Sequence, residues 1–204
     1  ISEISVSKSE LVPSGIDDQH PTPLGLARAA NNDRSIRREP LYLRKPDAAL
    51  APLADIHLRE LRFFDLGEIL GIERDLFPDP WSLGQFKEEF SGIPKTRYFL
   101  VALDSDKQIV GYAGVMVVSS GVDADVLTVA VLPEARRQGI ARHFMESLEK
   151  WSQMRVAPSM MLEVGVNNSS AIALYESLGY SIINTRKNYY GPGLDAHVMR
   201  KELP

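Results

Sequence analysis

One junction constrains this chain more than any other. The apolar run Val126-Leu127-Thr128-Val129-Ala130-Val131 passes through Pro133 into Arg136-Arg137-Gln138-Gly139-Ile140-Ala141, where a helical pattern begins. The run is rich in β-branched residues and reads as a strand. Beyond it Ile140, Phe144, Leu148 and Trp151 recur at helical spacing and form one apolar stripe. A strand that turns through glycine into a helix leaves the first backbone N–H groups of that helix without intrahelical acceptors. They point at one spot, with the positive end of the helix dipole behind them. Such a spot attracts phosphate. Gly139 carries no Cβ, so a pyrophosphate can approach the backbone, and Arg136 or Arg137 can add charge-assisted hydrogen bonds. Alone, the junction is equally compatible with an ordinary connection whose basic residues face solvent.

A second strand-to-helix unit follows. Residues 160–166 form an apolar strand bearing one carboxylate, Asn167-Asn168-Ser169 can cap the next helix, and Gly179 stands where a helix-terminating residue belongs. In two-residue alternation Met160, Leu162, Val164 and Val166 share one face, whereas Met161, Glu163 and Gly165 share the other. Glu163 therefore projects from a mostly apolar strand. Taken alone, Glu163 reads equally as a solvated carboxylate, and Tyr175 as a helix residue packed on the sheet with its hydroxyl in water.

The combination narrows these readings. Arg136-x-x-Gly139-x-Ala141 after the strand, Leu162-Glu163-Val164, Asn168 and the string Ala171-Ile172-Ala173-Leu174-Tyr175-Glu176-Ser177-Leu178-Gly179-Tyr180 resemble the GCN5-related N-acetyltransferases. Within that family the resemblance is to the RimI type, bacterial enzymes that acetylate the N-terminal alanine of a small-subunit ribosomal protein. Arg186-Lys187-Asn188-Tyr189-Tyr190 with Asp195-Ala196-His197-Val198-Met199, and Pro80-Trp81-Ser82 with Phe86, extend it to residues 56–203. One departure is Gly165, where these enzymes often carry Arg.

The resemblance implies a fold, a co-substrate and a set of roles. The fold is α/β, with a mixed, mostly antiparallel sheet flanked by helices. Acetyl-CoA is the co-substrate, its pyrophosphate cradled by Arg136, Arg137, Gln138, Gly139, Ile140 and Ala141. Its pantetheine arm lies between splayed strands at 124–132 and 159–166, near Val129, Val131 and Asn168, although helix capping explains Asn168 equally well. Glu163 is the implied general base, directly or through water, and Tyr175 the implied proton donor to the departing sulfur. Trp81, Tyr189 and Tyr190 would line the acceptor groove, the tyrosines being equally readable as plain strand and turn residues.

Composition sets limits on this chemistry. The absence of cysteine from all 204 residues excludes disulfides, thiolate metal sites and a cysteinyl acyl-enzyme, which leaves direct attack as the simplest transfer. His20, His57, His143 and His197 are scattered without ligand spacing, so no metal is expected. No apolar run approaches the ~18 residues of a membrane span and no apolar signal core opens the sequence, so the expected location is the cytoplasm, with no membrane partner. Residues 1–54 hold six of the 13 prolines and no Phe or Trp, which reads as a poorly ordered extension ahead of a domain at 55–204. Within that extension Arg34, Arg37, Arg38, Arg44 and Lys45 surround Leu41-Tyr42-Leu43 and read first as a solvated tail. The extension is charge-balanced, so the net −4 belongs to the domain; a nucleic-acid partner is not expected, and a basic acceptor peptide is compatible.

The pattern predicts strands near 56–62, 97–104, 108–119, 124–132, 159–166, 180–187 and 195–202, with helices near 64–76, 82–91, 139–155 and 169–178. The order is β-α-α-β-β-β-α-β-α-β-β, with Asp104-Ser105-Asp106-Lys107 as a hairpin turn. Three functions remain open: an acetyltransferase for a protein N-terminus, one for a small amine such as an antibiotic or polyamine, and a non-catalytic acyl-CoA-binding module. An α-amine of pKa near ~8 is neutral in roughly a tenth of molecules at pH 7, against fewer than about one in a thousand for lysine, which favours the first.

Overall fold

The computed structural model describes residues 55–204, so the expectation of a Pro-rich, poorly ordered extension at 1–54 lies outside the described residues. The elements follow the predicted order: β1 (His57–Glu60), α1 (Leu66–Leu76), α2 (Leu83–Ser91), β2 (Arg97–Leu103), β3 (Ile109–Met116), β4 (Ala124–Val131), α3 (Ile140–Met154), β5 (Ser159–Gly165), α4 (Ser169–Ser177), β6 (Ser181–Arg186) and β7 (Ala196–Glu202). Two short 3-10 turns, Phe63–Asp65 and Pro133–Ala135, are additions that apolar periodicity does not signal. Local chemistry sets the boundaries. Ser82 accepts a hydrogen bond from the Gln85 N–H while the Gln85 side chain returns to the Ser82 N–H, a reciprocal cap that starts α2. At the β2–β3 hairpin the Asp104 carboxylate accepts from the N–H groups of Asp106 and Gln108, as its turn-forming composition predicts.

The seven strands form one sheet in the order β1-β2-β3-β4-β5-β7-β6. Every neighbouring pair is antiparallel except β4 and β5, which run parallel. One face carries α3 and α4: Phe144, Leu148 and Trp151 pack there with Leu100, Val126, Leu162 and Met199. The other carries α1 and α2, where Ile69, Leu76, Trp81 and Phe86 meet Phe99, Val101, Tyr112 and Leu127. A carboxylate ties this second layer together. Buried Glu73 accepts from the Trp81 backbone N–H at 2.8 Å and from the Tyr112 hydroxyl, fixing the α1–α2 connection to β3.

Strand β4 does not keep strict alternation. Val126 faces α3, but so do Val129 and Val131, while Leu127 and Ala130 face the other layer. The register to β3 shifts at the same place, with Gly114 opposite Thr128 and Val115 opposite Val126. This is a β-bulge at Leu127, and a bulge bends its strand and increases local twist. The consequence lies on the other edge of β4. Pairing with β5 is confined to Ala124↔Met160 and Asp125↔Met161, after which the strands part.

Candidate active site

The gap between β4 and β5 opens on the α3/α4 face into a cavity of about 360 Å³, within the size range of small-ligand sites. Val129, Val131, Arg136, Arg137, Gly139, Ile140, Ala141, Asn168 and Tyr175 all lie on its wall. The structure thus brings together nine of the residues singled out in sequence; Gln138 belongs to the same turn but is not on the wall. Gly139 sits at φ +87° and Arg137 at φ +62°, so two left-handed residues bend the loop into the start of α3. The first intrahelical bond there is donated by His143 to the Gly139 carbonyl, which leaves the earlier N–H groups of α3 without an intrahelical acceptor.

Individual side chains refine this arrangement. Arg136 donates its Nε–H to the Val131 carbonyl at 3.0 Å, so its guanidinium ties the turn back to the end of β4, while Arg137 is exposed. The Asn168 side chain caps α4 by accepting from the Ala171 N–H at 3.2 Å. Tyr175 is buried at 3% exposure with its ring edge-on to Tyr180, and burial raises its phenol pKa, so the proton stays on oxygen through the alkaline range.

Glu163 lies on the opposite face of the sheet. Met160, Leu162 and Val164 are buried against α3 and α4, whereas Met161, Glu163 and Gly165 turn away, as the alternation predicts. The Glu163 carboxylate is not isolated on an apolar strand: Arg186 of β6 meets it at 3.2 Å. Tyr190 donates its hydroxyl to the Glu163 carbonyl at 3.3 Å and Tyr189 stands edge-on to Tyr190, so the β6–β7 connection folds over this face. Burial and the nearby Glu163 charge raise the Tyr189 phenol. Asp125 shares the face, since it is paired with Met161, and burial raises its carboxyl pKa, followed by the charge of Asp123. Trp81 lies on the α1/α2 side of the sheet too, but buried at 5% exposure with its ring against Phe86, because a ring this large follows the apolar layer of α1 and α2. The sequence names Arg186 only within the hairpin run 186–190, with no role of its own, and does not single out Asp125; the alternation of β4 around Ala124 and Val126 was the available signal for Asp125.

The unpaired stretch of the β4–β5 seam lies between the two faces. The wall on the α3/α4 side is apolar along Val129, Val131, Ala171 and Leu174, with amide N–H groups and arginine at the helix start, a surface that fits the arm and phosphates of a coenzyme A thioester. The Thr128 hydroxyl, at the level where β4 leaves β5, is buried and finds no hydrogen-bond partner among the described residues.

The acetyltransferase (GNAT) family profile matches residues 66–180. The chain belongs to the GNAT family. The matched region is an N-acetyltransferase domain. The chain is 33% identical over 193 residues to an uncharacterised protein of Mycobacterium leprae, covering 90% of this chain; it spans about half of that relative, 52%. It is 31% identical over 143 residues to a putative [ribosomal protein bS18]-alanine N-acetyltransferase of Bacillus subtilis, covering 70% of this chain and 92% of the relative. Its fold is similar to the crystal structure of the ribosomal-protein-S18-alanine N-acetyltransferase from Escherichia coli, with a TM-score of 0.63 and 29% identity over 72% of this chain and 94% of that one. Among the described residues no helix is long and apolar enough to cross a membrane.

Proposed function

We propose that this chain is an acetyl-CoA-dependent Nα-acetyltransferase whose acceptor is a protein N-terminus beginning with alanine, that of a small-subunit ribosomal protein in the cytoplasm. The observation that carries the reading is the half-open β4–β5 seam, with Tyr175 on one side and Glu163 under the Tyr189-Tyr190 hairpin on the other. The α3 amide groups with Arg136 and Arg137 would hold the pyrophosphate, and Val129, Val131 and Asn168 the pantetheine arm. When bound, the thioester supplies an activated acyl group. Glu163 takes a proton from the acceptor ammonium, directly or through water, so that the neutral amine attacks the carbonyl. Tyr175, kept protonated by its burial, gives its proton to the departing sulfur. A backbone N–H of β4 freed by the gap stabilises the developing oxyanion.

The hairpin supports a chain end as acceptor. Tyr189 and Tyr190 wall the Glu163 face, and a peptide that ends there presents an α-amine, which is neutral far more often than a lysine amine at pH 7. The homologues named for ribosomal protein bS18 supply the ribosomal part of the reading. The test is a mass-spectrometric acetylation assay with an N-terminal Ala peptide, the same peptide with a blocked N-terminus and internal lysines, a polyamine and an aminoglycoside. Strong preference for the free Ala terminus is expected. Equal rates on the blocked peptide, or a far better rate on a small amine, would give the function to the small-amine class instead. No transfer to any amine beside intact acetyl-CoA binding would leave a binding module.

A further inference from the structure

We propose that Arg186 is a positioning residue of the acceptor side: its guanidinium holds the Glu163 carboxylate ready to take a proton and seats the Tyr189 ring beside it. The proposal rests on the reading of Glu163 as the base. Strand register explains how a residue on the sheet's edge reaches that far. Arg186 is paired with Ala196, and Ala196 with Gly165, so the three stand in one row across β6, β7 and β5 and face the same way. Two small residues leave the row low. The long side chain crosses them diagonally to Glu163, two residues from Gly165, and a Cβ placed at Gly165 would already stand 3.9 Å from the Tyr190 ring.

Arg186 serves more than one partner at this point. Its guanidinium carbon lies 5.5 Å from the centroid of the Tyr189 ring, within cation–π range, and its charge also acts on Asp125. The other charged and titratable groups on this face include Asp123 and Asp125 on the β4 side, Arg97 of β2 with Glu89 of α2, Arg200 and Glu202 of β7 and the phenols of Tyr189 and Tyr190. Arg97 is bonded to Glu89 and its charge also acts on Asp125, and Arg200 pairs with Asp123 and Glu202, whereas Arg186 is the cation seen paired with Glu163. Burial and then the charge of Asp123 raise the Asp125 carboxyl while Arg186 lowers it, so the cation that pairs with Glu163 also acts on Asp125. Exposure points to a role in chemistry above one in folding. The Arg186 side chain is 46% exposed against 13% for Glu163, and ion pairs with one partner so well solvated contribute little to stability.

The test compares Arg186→Met, Arg186→Lys and Glu163→Gln in the full chain, on whichever amine the wild type acetylates best. The rate of each variant is divided by the wild-type rate at each pH, which cancels the acceptor's own ionisation. Removing the guanidinium favours the protonated, inactive carboxyl of Glu163, so the Arg186→Met loss is expected to be largest at the acid end of the profile, up to about tenfold, and to shrink as pH rises. Arg186→Lys should restore most of it, with acetyl-CoA affinity by calorimetry and the melting temperature unchanged in both. An Arg186→Met ratio that is flat across pH, or a loss that follows a lowered melting temperature, overturns the proposal. Wild-type turnover by Glu163→Gln overturns the reading of Glu163 itself. An inactive Glu163→Gln beside an Arg186→Met that tracks wild type at every pH overturns the Arg186 proposal alone.

Discussion

Strand β5 is held along its whole length on one edge and scarcely at all on the other. Seven residue pairs join it to β7, from Ser159↔Glu202 to Gly165↔Ala196, whereas two join it to β4. The same apolar residues serve both edges, so composition does not explain the difference. Geometry does: the bulge at Leu127 bends β4 away after Asp125, and nothing bends β7 from β5. A closed seam spends its backbone groups on the fold. An open one leaves them for a guest, at a place where both faces of the sheet can be reached. Substitutions along the closed seam should therefore register as stability, and those along the open seam as binding or turnover.

The largest expected effect is at the open seam. Glu163→Gln and Tyr175→Phe should each lower kcat by about 10² to 10⁴-fold, the usual range for a lost acid or base, with little change in acetyl-CoA affinity. Because burial raises the Tyr175 pKa, loss of its proton should not shape the alkaline side of the wild-type profile, and Tyr175→Phe should keep that side's form. Steady-state kinetics over pH checks both points. Two variants with wild-type turnover would make these residues structural and remove the functional meaning of the gap.

At the closed seam the readout changes. Met199 is fully buried on β7 opposite Leu162, and its truncation to alanine leaves a cavity costing about 2 to 5 kcal/mol. Chemical denaturation should show that loss, while the folded fraction binds acetyl-CoA with unchanged affinity. Weakened cofactor affinity in the folded fraction would mean that the two seams are coupled.

Much of this was legible in the sequence, and the exceptions share a cause. Alternation placed Glu163 and Gly165 on the face opposite Leu162 and Val164, and the cap and stop around 169–179 bounded α4, because these depend on neighbours along the chain. The element order also followed from local pattern. The ion pair of Arg186 with Glu163 was not legible, since it depends on the register across three strands. Neither was the burial of Trp81, which tertiary packing against Phe86 decides. The bulge left only a faint trace, the switch of parity between Val126 and Val129.

A smaller effect is expected at the helix start. Gly139 holds φ +87°, which a β-branched residue adopts only with strain of roughly 1 to 2 kcal/mol, and a side chain there would stand in the phosphate cradle. Gly139→Val should raise the acetyl-CoA dissociation constant severalfold or more while the domain stays folded. Calorimetry that finds wild-type affinity in a folded variant would move the phosphate site away from α3.

The smallest effect is expected from deleting residues 1–54. The described residues by themselves supply two apolar layers, a cavity and the Glu163 face, and the deleted segment is proline-rich and carries no Phe or Trp. A chain starting near Ala54 should therefore fold, and by calorimetry bind acetyl-CoA as the full chain does. Yet the similarity to the Mycobacterium leprae protein covers 90% of this chain, more than the described residues supply, so it extends into the first 54. The basic cluster of Arg34, Arg37, Arg38, Arg44 and Lys45 lies in that segment, ahead of an acidic domain. Acceptor kinetics separate the two possibilities. Unchanged kcat and KM for the N-terminal peptide would confine function to the domain, whereas a raised KM with unchanged cofactor binding would give the segment a part in holding the acceptor. Loss of folded protein would overturn the domain boundary itself.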